Sequence, residues 1–132
     1  MRLTAPHTLI DAPIALPASK SISNRLLIIR ALSNQGKIVG LSKAADTVTL
    51  QKLLTEMPAV MDVGHAGTAF RFLTAFLSIQ EGEFVLTGSE RMKNRPIKIL
   101  VEALRALGAE IRYVEKEGFP PLKIIGKSLP GG

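Results

Sequence analysis

Apolar residues recur along the chain at two spacings, and the spacings predict its elements. Ile22, Leu26, Ile29 and Leu32 fall three or four apart. They predict a helix over residues 19–33 that Ser19 can cap, with this stripe on one side and Gly36 as a stop signal. Asp46 is placed to cap a second helix through Leu50, Leu53 and Leu54, which Pro58 closes off. Gly64 and Gly67 bracket a tight turn, after which Thr68 is placed to cap a third helix carrying Phe70, Leu73, Phe76 and Leu77. Pro96 suits the first turn of a fourth helix, where its missing N–H costs nothing. Ile97, Leu100, Val101, Leu104 and Leu107 follow at helical spacing up to Gly108. Residues 38–41, 84–86, 110–114 and 122–125 read as strands, the last two joined by a polar turn containing Gly118. Residues 59–63 read as a brief apolar link, and residues 2–16 as extended pieces broken by Pro6 and Pro13.

Helices alternating with strands predict an α/β or α+β domain, its helices covering a sheet. At 132 residues and 46% hydrophobic content the chain suffices for one core and is too short for two independent domains. Residues 19–41 and 68–86 share a helix-then-strand order, a loose internal repeat resting on element order alone.

Charge narrows the partners. The formal charge of +6 favours phosphorylated metabolites, nucleic acid or acidic membrane surfaces. Against nucleic acid stands the shortage of stacking rings, with no Trp, one Tyr and five Phe placed mostly inside apolar runs. The absence of Cys excludes disulfides and thiolate chemistry, and two isolated histidines, His7 and His65, give no reason to expect a metal. No apolar stretch of signal-peptide type opens the chain. The most apolar windows, residues 26–29 and 69–79, are too short to span a bilayer, and the second contains Arg71. A soluble, cytoplasmic protein is the expectation.

Three helix entrances concentrate the candidate chemistry. In Ala18-Ser19-Lys20-Ser21-Ile22-Ser23-Asn24-Arg25, Ser21 and Arg25 lie four apart on one face, while Lys20 sits beside the free N–H groups of the first turn. Together they could hold a phosphate or carboxylate; ordinary capping of a solvated helix end is the plainer alternative. In Gly64-His65-Ala66-Gly67-Thr68-Ala69-Phe70-Arg71, small residues leave bare backbone N–H groups just before a helix, although neither the P-loop nor the dinucleotide spacing is met. A plain turn explains the glycines equally well. Arg71, among Phe70, Phe72 and Leu73, must snorkel or find a partner. In Glu90-Arg91-Met92-Lys93-Asn94-Arg95-Pro96, three cations precede a helix whose dipole they oppose, a conflict that a bound anion would remove. A solvated charge run is the competing reading.

The order PASKSISNRLL, GHAGTAFRFL, LTGSERMKNRPI resembles the enolpyruvyl transferases, and among them the 5-enolpyruvylshikimate-3-phosphate synthases, over nearly the whole chain. The resemblance implies a domain built from βαβαββ-type units and transfer of the enolpyruvyl group of phosphoenolpyruvate to the 5-hydroxyl of shikimate 3-phosphate. It further implies that phosphate is released, that the transfer is a step towards chorismate and the aromatic amino acids, and that no organic cofactor, metal, nucleic acid or membrane takes part. Carried over by motif, Lys20, Ser21 and Arg25 bind shikimate 3-phosphate, and Lys20, Gly67 and Arg95 bind phosphoenolpyruvate. His65, Thr68, Arg71 and Arg91 then stand behind them, shaping the same field without a direct catalytic role.

Departures from the family pattern qualify these expectations. His65 replaces the usual Asn of Gly-Asn-Ala-Gly-Thr, and the link between Leu54 and Asp62 is shorter than the family's, which commonly inserts a strand pair there. The resemblance also implies that residues 1–14 belong with a second domain, that residues 15–132 form an incomplete first domain, and that the second, catalytic domain lies outside this sequence. The expectation is a fragment inactive by itself; a non-catalytic anion-binding module of the same fold is the alternative.

Overall fold

A computed structural model describes residues 12–129. The extended pieces expected before Pro13, and His7 with them, fall almost wholly outside that range. The elements are α1 (Lys20–Ser33), α2 (Ala45–Glu56), β1 (Val60–Asp62), α3 (Gly67–Leu77), β2 (Gly82–Thr87), α4 (Glu90–Lys93), α5 (Lys98–Ala106), β3 (Glu110–Tyr113) and β4 (Leu122–Gly126). The strands form one mixed sheet in the order β1-β2-β4-β3, parallel between β1 and β2 and antiparallel elsewhere. Leaving aside the single turn of α4, the succession from β1 to β4 is one complete βαβαββ unit, with α1 and α2 preceding it. The mixed α/β class read from the sequence is therefore the class observed.

Alternation sets the inward face of the sheet. Phe84 and Leu86 of β2 and Leu122 and Ile124 of β4 are buried, while the alternate residues Val85, Thr87, Lys123 and Ile125 are only partly so. Against them packs α3, whose Phe70, Leu73 and Leu77 are buried. Its buried hydroxyls are satisfied within the helix, Thr74 Oγ1 donating to the Phe70 carbonyl at 2.8 Å and Ser78 Oγ to the Thr74 carbonyl at 2.7 Å. On the far side of α3 lie α1 and α2, which contribute Leu27, Leu50 and Leu53.

The apolar stripe of α1 is not the side it buries. Ile22, Leu26, Ile29 and Leu32 are 61%, 40%, 58% and 52% exposed, whereas Ser23, Asn24 and Leu27 are buried. The buried side is held by directional bonds. Ser23 Oγ accepts from the Ser42 amide at 2.9 Å, and Asn24 Oδ1 accepts from Thr47 Oγ1 at 2.8 Å.

Several boundaries differ from the expected ones. Asp46 does not cap α2: the backbone N–H groups of Thr47 and Val48 bond to Ala44, which makes Ala44 the cap and puts Asp46 in the first turn. Thr68 likewise lies inside α3, because Phe70 bonds back to Ala66. Pro96 stands two residues ahead of α5, since the Ile97 amide is taken by the Gly118 carbonyl before the helix begins. Residues 59–63, read as a link, supply β1, because the edge of β2 is there to pair with them. Residues 38–41 find no strand partner among the described residues and are irregular. The proposed repeat thus has only one paired strand, β2, following its second helix.

Two predictions follow from the sheet. A β-carbon on Gly126 would overlap the backbone carbonyls of Leu77 and Gln80 at the end of α3. Gly126→Ala should therefore cost at least about 3 kcal/mol in urea unfolding, because backbone cannot move aside as a side chain can. Glu83 of β2 pairs with Lys123 of β4 at 2.9 Å, and the hydrogen bond and charge of Lys123 hold its carboxyl below the ordinary range. The stability this adds is present above the unfolded-state value and is lost as pH falls through the depressed folded value. Lys123→Met should return the Glu83 titration, followed by carboxyl NMR shifts, to the ordinary range.

Candidate functional site

The entrance of α1 is organised by its own first turn and by α2. Ser19 Oγ accepts from the Ile22 amide at 3.4 Å, completing the expected cap. Lys20 extends its ammonium to Asp46 Oδ2 at 3.2 Å. Arg25 folds back on the same turn, donating to Ser21 Oγ and, at 3.0 Å, to the Ser21 carbonyl. Its guanidinium also lies 5.9 Å from the ring centre of Phe72 on α3, so the α1 cation is steadied against a second helix. The expected proximity of Ser21 and Arg25 is met.

The entrance of α3 is tied to the loop ahead of α4. Gly64 has φ +56°, a conformation open to glycine at little cost; its N–H donates to Asp62 Oδ1 at 2.7 Å and its carbonyl accepts from Ser89 at 3.0 Å. Ser89 Oγ bonds His65 Nδ1 at 2.8 Å and also caps the Met92 amide at 3.3 Å. One hydroxyl thereby fixes both the His65 ring and the start of α4.

Arg95 follows α4 and lies directly on Gly67. A β-carbon at Gly67 would sit 2.6 Å from the Arg95 Cζ, so a larger residue there would displace the guanidinium from this position. The two residues assigned by resemblance to the same ligand, 28 positions apart in sequence, are in contact. Arg71 finds its partners in backbone, donating to the Gly67 and Pro96 carbonyls at 3.2 Å each and clamping the α3 entrance to the segment after Arg95. Thr68 is on the exposed side of α3.

His65, Arg91, Met92 and Arg95 line a cleft of about 410 Å³. Lys93 is neutralised outside it by Glu115 at 3.2 Å and Glu90 at 3.4 Å, and hydrogen bonding to these carboxylates pushes its ammonium above the usual lysine range. Among the described residues no carboxylate pairs with Arg91 or Arg95. Two unpaired guanidiniums and a histidine on one concave wall suit an anion with more than one charged group. Groups of three or more His, Asp or Glu arranged for a metal are not found among the described residues, and no described helix is long and apolar enough to cross a membrane.

Sequence reasoning did not identify Asp46 or Ser89 as parts of the site. Ser89 was legible as a cap, standing just ahead of Glu90 and three residues before the buried Met92. Asp46 was not, because its role depends on how α1 and α2 pack.

The βαβαββ unit and the helices ahead of it define a mixed α/β domain of the enolpyruvyl transferase fold. The solved EPSP synthase from Acinetobacter baumannii superposes with a TM-score of 0.75 at 23% identity, over 86% of this chain and 32% of that one. The family described as EPSP synthase (3-phosphoshikimate 1-carboxyvinyltransferase) matches residues 49–132. A 3-phosphoshikimate 1-carboxyvinyltransferase of Bacteroides fragilis strain YCH46 is 57% identical over 130 residues, 98% of this chain and 32% of the relative. One from Aliivibrio salmonicida is 40% identical over 157 aligned positions, 96% of this chain and 36% of the relative. This chain belongs to the EPSP synthase family, and spans about a third of the length of the curated relatives it matches. The 157 positions exceed the 132 residues of the chain, so the Aliivibrio protein carries inserted residues, in keeping with a shortened segment here.

Ser89→Ala removes the bond to His65 and the cap on Met92 together. It should cost about 1 kcal/mol in unfolding. The ring resonances of His65 should broaden or shift while those of the sheet residues stay in place.

Proposed function

We propose that this chain is the portion of a transferase that holds shikimate 3-phosphate and phosphoenolpyruvate while the enolpyruvyl group moves to the 5-hydroxyl and phosphate is released. The contact between Gly67 and the Arg95 guanidinium carries the reading. It makes a flat, charged, two-pronged surface beside backbone, suited to the carboxylate and phosphate of phosphoenolpyruvate. Lys20, Ser21 and Arg25 take shikimate 3-phosphate, with Lys20 reaching both substrates. His65 and Arg91 line the cleft around Arg95, while Arg71 and Thr68 support the α3 entrance.

Binding and orientation are what these residues supply. Both substrates are anions, and addition of the hydroxyl oxygen to the enol carbon, with loss of the hydroxyl proton and protonation of the methylene carbon as the double bond opens, gives a tetrahedral intermediate that keeps the carboxylate and phosphate charges. Cations already fixed in place stabilise that charge without reorganising. Residues 15–132 form part of a first domain, residues 1–14 join a second, and closure of the two excludes water and supplies the proton-transfer groups. The reaction uses no organic cofactor or metal, and belongs to the cytoplasmic synthesis of chorismate and the aromatic amino acids; neither nucleic acid nor a membrane takes part.

Calorimetry on the chain tests this. Shikimate 3-phosphate should bind weakly, and Lys20→Ala or Arg25→Ala should each weaken that binding about tenfold or more, the effect of losing a charge-assisted contact. No turnover should accompany it. Binding unchanged by both substitutions would remove the assignment.

A further inference from the structure

We propose that Asp46 is a positioning residue for Lys20, holding its ammonium at the mouth of the site without touching substrate. This inference rests on the proposed role of Lys20. A lysine at the first position of a helix opposes the helix dipole, and α1 has no acidic residue in its first turn to offset it. The countercharge comes from the first turn of α2, where a carboxylate is favoured by the dipole of its own helix. Lys20 Nζ and Asp46 Oδ2 are 3.2 Å apart, and the Asp46 side chain is the less exposed of the two, at 28% against 51%.

The pair is one rung of a ladder between the two helices. One turn further along α1, Asn24 accepts from Thr47, the residue after Asp46, at 2.8 Å in a fully buried bond. Beside it, Ser23 Oγ fixes the Ser42 amide, and Ser42 Oγ accepts from the Ala44 amide at 3.2 Å immediately before α2 starts. These buried bonds set where Asp46 stands, and Asp46 sets where the flexible lysine stem ends. An ammonium has three donors. One goes to Asp46, leaving two that point away from the carboxylate for substrate oxygens. An exposed ion pair of this kind adds little to stability, so the effect expected is on geometry.

A double-mutant cycle in the full-length protein, read as kcat/KM for both substrates, tests the assignment. Asp46→Ala should lower kcat/KM about tenfold or more, as a misplaced binding group does, while the unfolding midpoint stays close to that of the parent. In a Lys20→Ala background the same substitution should have no further effect. Asp46→Asn, which keeps the shape and one acceptor, should recover part of the loss; if Asp46→Ala does not fold, Asp46→Asn takes its place in the cycle. Parent-like kinetics, or losses that simply multiply with those of Lys20→Ala, would overturn the role of Asp46 while leaving the site assignment intact. A Lys20→Ala variant with parent-like kinetics would overturn the proposed function itself, and the role of Asp46 with it.

Discussion

The burial of α3 is the constraint on which the other parts of the site depend. The helix is covered by the sheet on one side and by α1 and α2 on the other, and even its buried hydroxyls, on Thr74 and Ser78, turn to its own carbonyls. A helix so enclosed has little freedom to slide or rotate. Its first residue, Gly67, is therefore fixed, and so is the ground on which Arg95 lies. Phe72, one turn along, presents its ring to Arg25, and Arg71 ties the same turn to Pro96. Cations from three separate segments take their positions from one buried helix. The arrangement lets a small domain hold like charges near one another, because packing of uncharged groups resists their repulsion.

Elements with strong local signals were legible in the sequence. Ser19 caps α1 as its position suggests, and the strand expected over residues 122–125 is present as β4. The cationic entrances were legible as well, because lysines and arginines beside helix starts contradict the dipole and stand out. What escaped was whatever depends on a partner. Residues 59–63 become a strand only because β2 offers an edge, and residues 38–41, with similar composition, find none among the described residues. Asp46 had the chemistry of a cap and was used instead as a countercharge, a choice made by the approach of another helix. The contact of Gly67 with Arg95 is a further case: neither residue signals the other, and only the return of the chain through β2 and α4 brings them together.

The most misleading signal was also the most regular. The stripe of Ile22, Leu26, Ile29 and Leu32 has helical spacing, yet it faces solvent while serine and asparagine are buried. Periodicity reports that a helix has two unlike sides; it does not report which side this stretch of chain covers. The polar side is covered here because Ser23 Oγ meets the amide of Ser42 ahead of α2 and Asn24 Oδ1 meets the hydroxyl of Thr47 on α2, and leaving these acceptors buried without a donor would be costly. The match is incomplete at Asn24, whose oxygen is taken by Thr47 while its Nδ2 has no partner among the described residues.

That difference in what holds each helix bears on the cations of α1. The βαβαββ unit is continuous in sequence and gathers most of the apolar core. Directional hydrogen bonds of the kind that hold α1 form only when both partners are already in place, and bring little apolar burial to guide the approach. Until α1 is seated, therefore, Lys20 lacks Asp46 and Arg25 lacks the ring of Phe72.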